Sequence, residues 1–193
     1  MPSSSIHLKI GYLFGEKHHL SSYLYYLGLI APDSPNLYGI GKKKERWMAH
    51  VRRKDLREWR ESLKEFYYNN KNIYPRDFLI GYVIHILTDI IYDDFFYLKV
   101  RDKIICDGVS LEDSHHTMRS DMDKYSFLEI EEIIHVLKSD SITYPILGIE
   151  DIKMLSWKNK VIHLLATKNT SLYITDSLIM ELFHQVDLES FVL

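Results

Sequence analysis

The sequence predicts an all-α fold, a single-domain helical bundle over residues 1–193. Three observations carry that reading. Apolar residues recur at helical spacing along most of the chain. Proline and glycine are sparse, at 5 and 8 of 193 residues, so few interior positions break a helix. Only residues 171–174, Ser-Leu-Tyr-Ile, have strand character.

The elements follow in order. A short helix is expected over 6–14, opening at the Ser3–Ser5 cluster, whose hydroxyls suit an N-cap. A second spans 20–30, capped by Ser21 or Ser22, and stops where Pro32 and Pro35 force extended backbone. Asp33 is thereby placed in a tight loop. Residues 37–44, with Gly39, Gly41 and a lysine run, read as loop. One amphipathic helix is expected over 45–69, where Trp47, Val51, Leu56, Trp59, Leu63 and Phe66 recur among charges. After a turn through Pro75 comes the central apolar helix, 76–98. Beyond a break at Gly108, helices are expected over 114–125, 127–137, 149–166 and 175–183, with 139–145 a loop. Thr175 or Asp176 would cap the last.

Composition excludes several classes. At 46% hydrophobic and 26% charged residues, the chain builds a core and is not disordered. A net charge of −3 gives no general attraction to nucleic acid or an acidic membrane, so no specific nucleic-acid partner is expected. Cys106, the sole cysteine, excludes an internal disulfide and a thiolate-rich zinc site. It reads as a packing residue and suits a reducing cytoplasm. The N-terminal stretch lacks a basic start followed by an apolar core, so no signal peptide is expected. The run 78–98 is long enough to span a bilayer, but His85, Asp89, Asp93 and Asp94 would be expensive there, and a buried helix is the better reading. Oligomeric state is not specified; the apolar tail 181–193 docks internally or on a partner.

Inside that run, His85 and Asp89 lie four apart, on one helical face. Both are costly to bury unless hydrogen-bonded, paired or bound to a metal. They are half of a metal site or a pair that ties the core together. His7, Asp33 and His50 lie on or beside three earlier elements, and each alone reads as a surface histidine, a turn former or a solvated histidine. Together, three histidines and two aspartates suit zinc or another first-row divalent ion. Five ligands hold one crowded ion, or two that share a bridging carboxylate, the usual arrangement for phosphate-ester hydrolysis. Around His50 lies a basic stretch, Lys42, Lys43, Lys44, Arg46, Arg52, Arg53 and Lys54. It reads first as a solvated face balanced by Glu45, Asp55 and Glu58, and second as a phosphate-binding rim. Arg119, Asp121 and Asp123 read first as part of a capped surface helix and second as side chains that reach the cleft.

The segments MPSSSIHL, YLGLIAPDSPN, KKKERWMAHVR and GYVIHILTD, in that order and spacing, resemble the bacterial zinc-dependent phospholipase C family, in particular its small intracellular members. The resemblance covers roughly the first half of the chain. It implies an all-α fold of the phospholipase C and single-strand nuclease type, with a metal cluster in a cleft between helices. It carries over to His7, Asp33, His50, His85 and Asp89 as metal ligands, with hydrolysis of a phosphoester by metal-activated water as the chemistry. The larger members have a further histidine shortly after the helical aspartate, where this chain has Asp93, Asp94 and Phe95. Their later His-x-x-x-Glu is missing too, since Arg119 and Ser120 stand at that offset from His115 and His116. The expected cofactor is therefore one or two Zn2+ ions rather than three.

The sequence thus predicts a metal-dependent hydrolase of a small-molecule or lipid phosphoester. Asp33 and Asp89 take catalytic roles, Asp33 orienting the attacking water and Asp89 bridging ions; Arg52 and Lys44 are candidates to hold phosphate oxygens. The alternative is a non-catalytic metal-binding or interaction module derived from the same fold. A phosphohydrolase of the adjacent His-Asp type is disfavoured because the chain has no such dipeptide.

Overall fold

The computed structural model describes residues 2–167 and 170–190, and within them the chain is helical with no strand. The helices are α1 (Ser4–His18), α2 (Tyr23–Ile30), α3 (Lys43–Ala49), α4 (Leu56–Asn70), α5 (Arg76–Ile91), α6 (Tyr97–Cys106), α7 (Leu111–Lys124), α8 (Ile130–Lys138), α9 (Asp151–Leu165) and α10 (Asp176–Ser190). Two irregular helical segments join them: a 3-10 turn over Ala31–Asn36 and a π-helical turn over Tyr92–Phe96. Apolar side chains from α1 through α10 form one core. No helix among the described residues is long and apolar enough to cross a membrane.

α5 runs through the centre. Its side chains are buried on every face from Phe78 to Ile91 apart from the half-buried Ile80, as an all-round apolar helix requires. It packs on α1, α2, α4 and α10. Against α2 the approach is backbone to backbone. A Cβ on Gly28 would strike the Phe78 carbonyl oxygen, and one on Gly81 the Tyr25 carbonyl oxygen. Glycine at both positions lets the two helices touch, which brings the Leu29 carbonyl within reach of α5.

Several boundaries differ from expectation. α1 extends to His18. α2 starts at Tyr23 because Ser22 Oγ accepts from the Tyr25 N–H and donates to Asp77. Asp33 lies in the 3-10 turn and not in an extended loop, since proline fits the start of a helical turn as well as a break. The expected single helix 45–69 is two helices. Val51 takes a left-handed φ of 43°, and Asp55 caps α4 by accepting from Arg57 N–H and Glu58 N–H. The central run also breaks at Tyr92, where the π turn re-registers the chain into α6. Ser110, not Ser114, caps α7. Residues 171–174 form no strand; their N–H groups are spent on Asp121 instead. Cys106 is exposed at the end of α6 and does not pack. Of the apolar tail, α10 docks on α1 and α5, while 191–193 lie outside the described residues.

Candidate metal centre

Four elements deliver five side chains to one buried point. His7 comes from α1, Asp33 from the 3-10 turn, His50 from the residue that ends α3, and His85 and Asp89 from α5. His7, His85 and Asp89 have no exposed surface, and His50 and Asp33 keep 1% and 6%.

The turn at His50 is built deliberately. Tyr82 Oη donates to the Ala49 carbonyl at 2.6 Å, and the Trp59 indole N–H donates to the His50 carbonyl at 2.8 Å. These bonds satisfy carbonyls orphaned at the end of α3 and hold the strained Val51 that turns the chain.

Hydrogen bonding settles the tautomers. His50 Nδ1 lies 2.8 Å from the Arg46 carbonyl oxygen, and His85 Nδ1 lies 2.7 Å from that of Leu29. A carbonyl only accepts, so each neutral ring carries its proton on Nδ1 and presents an Nε2 lone pair. These two Nε2 atoms face each other at 3.2 Å. Asp89 Oδ2 stands 3.3 Å from the first and 3.7 Å from the second. Three acceptors therefore converge with no donor between them. On the other side, Asp89 Oδ1 is 3.6 Å from His7 Nε2, and Asp33 Oδ1 is 3.7 Å from His50 Nε2. The His7 ring stacks on His85, centroids 3.7 Å apart and planes 11° from parallel. Both ring nitrogens of His7 and both carboxylate oxygens of Asp89 are buried without a hydrogen-bond partner among the described residues.

Such a set is poorly stable by itself. Burial, reinforced by the neighbouring imidazoles, drives His7 and His50 well below the ordinary histidine range. His85 is also lowered by burial, against the pull of Asp33 and the Leu29 carbonyl. Burial pushes Asp89 well above the carboxylate range, and repulsion from Asp33 and Asp93 adds to it. Asp33 is raised by burial, although His85, Arg119 and Asn36 oppose this. Neutral imidazoles are the form that ligates a metal, and a divalent cation would supply positive charge to these lone pairs and to the buried carboxylates. The donors form two overlapping triads, His7–Asp33–His85 and His50–His85–Asp89, each with its ligand atoms within 4.8 Å of one another. Imidazole and carboxylate donors without sulfur fit zinc and its first-row neighbours.

The cluster lies beneath a cleft of about 1160 Å3, which Asp33 and His50 line. Arg52 lines it too, held by Asp93 Oδ2 at 2.6 Å and stacked 4.4 Å from the Trp59 ring centroid. Lys44 is exposed and takes no part in the cleft wall, so of the two proposed phosphate holders the structure brings only Arg52 to the site. The basic stretch divides accordingly: Arg46, Arg52 and Lys54 face the cleft, while Lys42, Lys43, Lys44 and Arg53 do not. Arg119, read from sequence first as a surface residue, also lines the cleft. Its i+4 neighbour Asp123 is there as well, whereas Asp121 points to the 171–174 segment. The ring-orienting carbonyls of Leu29 and Arg46 have no sequence signal, since every residue carries one.

No protein-family model, curated protein or solved structure matches this chain.

Proposed function

We propose that the protein is a metal-dependent hydrolase of a phosphoester substrate. One observation carries the reading: the Nε2 lone pairs of His50 and His85 and the unpartnered oxygens of Asp89 converge, buried, beneath a cleft with cationic walls. His50, His85 and Asp89 would hold one ion, with His7 and Asp33 completing its shell or sharing a second. Zinc suits the donor set best. An ion so held lowers the pKa of a bound water from 15.7 toward about 7 and neutralises phosphoryl charge.

The protein's own groups supply the rest. The Leu29 and Arg46 carbonyls keep His85 and His50 in the ligating tautomer. Asp33, at the cleft edge and bonded to Asn36 Nδ2 at 3.1 Å, is placed to orient water toward phosphorus. Arg52, fixed by Asp93, meets the non-reacting phosphate oxygens. A reducing, cytoplasmic setting belongs to the same proposal, on the strength of one unpaired cysteine.

Elemental analysis of protein purified without a metal-affinity tag tests this. One or two equivalents of zinc or a similar ion, with chelator-sensitive turnover of phosphate esters, is expected. Absence of stoichiometric metal after incubation with excess zinc and dialysis would overturn it. The zero exposure of His7, His85 and Asp89 favours a second reading, a metal-binding module without turnover. Bound metal with no hydrolysis across mono- and diesters would select that reading.

A further inference from the structure

The cleft over the metal centre stays cationic in a chain of net charge −3. Arg46 Nε donates to the Gly41 carbonyl at 3.0 Å, and Lys160 Nζ to that of Leu37 at 2.7 Å, so neither charge is met by a carboxylate there. Arg52 is neutralised by Asp93. Arg119, on α7, lines the same cleft and is exposed. Among the described residues it makes no hydrogen bond or close ion pair, but it acts electrostatically on Asp33 and Asp123. Arg52 acts likewise on Asp89. Both guanidiniums thus line the cleft over the buried donors.

We propose that the cleft takes a phosphomonoester, with Arg119 gripping the terminal phosphoryl group from the cleft wall. The inference rests on the phosphoesterase reading and narrows it. With both carboxylates on a single divalent ion the shell carries no net charge, and the charge of the substrate must then be met by side chains outside it. A monoester at neutral pH carries nearly two charges and three free oxygens. A diester carries one charge and two free oxygens. Arg52, already paired with Asp93, leaves little over for a dianion. Arg119 is an exposed planar fork on the cleft wall with all its N–H groups free of hydrogen bonds among the described residues, whereas Arg46 already spends Nε on the Gly41 carbonyl, and a guanidinium suits two phosphoryl oxygens at once.

The test uses the full chain loaded with zinc. Inorganic phosphate is titrated calorimetrically into the parent, R119Q and R119K, and the metal content of each is measured. Because Arg119 is exposed, R119Q is expected to fold and to keep the parent's metal content. Its affinity for phosphate should fall on the order of tenfold or more, with partial recovery in R119K. Its kcat/KM should fall comparably for p-nitrophenyl phosphate and less than about twofold for bis(p-nitrophenyl) phosphate. Unchanged phosphate affinity in metal-replete R119Q overturns the role of Arg119. Equal losses on the two esters overturn the monoester assignment. Absence of metal from all three proteins instead sinks the phosphoesterase reading, and this inference with it.

Discussion

Two carboxylates, Asp89 and Asp121, are about equally removed from solvent, at 0% and 3% exposure, and their surroundings are opposite. Asp121, on α7, accepts from the backbone N–H groups of Leu172 and Tyr173 at 2.8 Å and of Ile174 at 3.0 Å, and from the Ser171 hydroxyl. Burial pushes its carboxyl up, but those four donors outweigh it and hold it below the ordinary range. Asp89 has no hydrogen-bond donor among the described residues; the Nε2 lone pairs of His50 and His85 face it, and burial drives its carboxyl well up. The first carboxylate is paired for the fold, clasping the 171–174 segment to α7. The second is left unpaired by the fold, and under the proposed function a cation would complete it. The two burials differ in where the positive end of the interaction comes from.

The comparison breaks most sharply on metal. D89N should lower affinity for zinc by more than about a hundredfold, and D121N should leave it unchanged, as read by competition with a chromogenic chelator. Equal retention in both variants would show that Asp89 is an ordinary core residue. Next in size, zinc at about 100 times its dissociation constant should stabilise the parent by about 2.7 kcal/mol, reversed by EDTA, with no comparable gain in D89N. In metal-free protein the ranking inverts. D121A should cost about 1–3 kcal/mol in urea unfolding, because it strands the buried Ile174 N–H and the part-buried ones of Leu172 and Tyr173, whereas D89N should be neutral or stabilising. A large loss in metal-free D89N would mean that the histidines already satisfy Asp89.

The smallest effect is in pH, and its sign separates the two. Asp121 has a depressed folded pKa, so its contribution is present above the unfolded value of about 3.9 and is lost as pH falls through the folded one. Asp89 has a raised folded pKa, so its ionisation costs stability above about 3.9. Acidifying the metal-free protein toward pH 4 should therefore favour the parent over D89N. Below about 4, the advantage of the parent over D121A should shrink. Urea midpoints across the acid range measure both.

Much of the candidate site was legible in the chain. The i,i+4 spacing of His85 and Asp89 in an apolar run made one face of α5 suspect. His7, Asp33 and His50 were singled out with them, and the fold brings all five within a few ångströms. The turn that aims His50 was missed because amphipathic spacing runs on across it, although Asp55 with Glu58 three residues later marks a helix start. The cleft reading of Arg119 stood second to a surface one because a charged residue on a polar helix reads the same whether it faces bulk water or a cleft.

The sequence by itself determined the helical class, the order of most helices and the i,i+4 placement of His85 and Asp89 on one face, because spacing and residue type are local properties; His7, Asp33 and His50 became candidates beside them only as a set and through the resemblance. Only the tertiary structure decided which atoms confront one another. The glycine contact between α2 and α5 carries the Leu29 carbonyl to His85, and the turn at Val51 swings His50 beside it. These are contacts between residues 35 and 56 positions apart, set by how helices cross and not by any period within one of them.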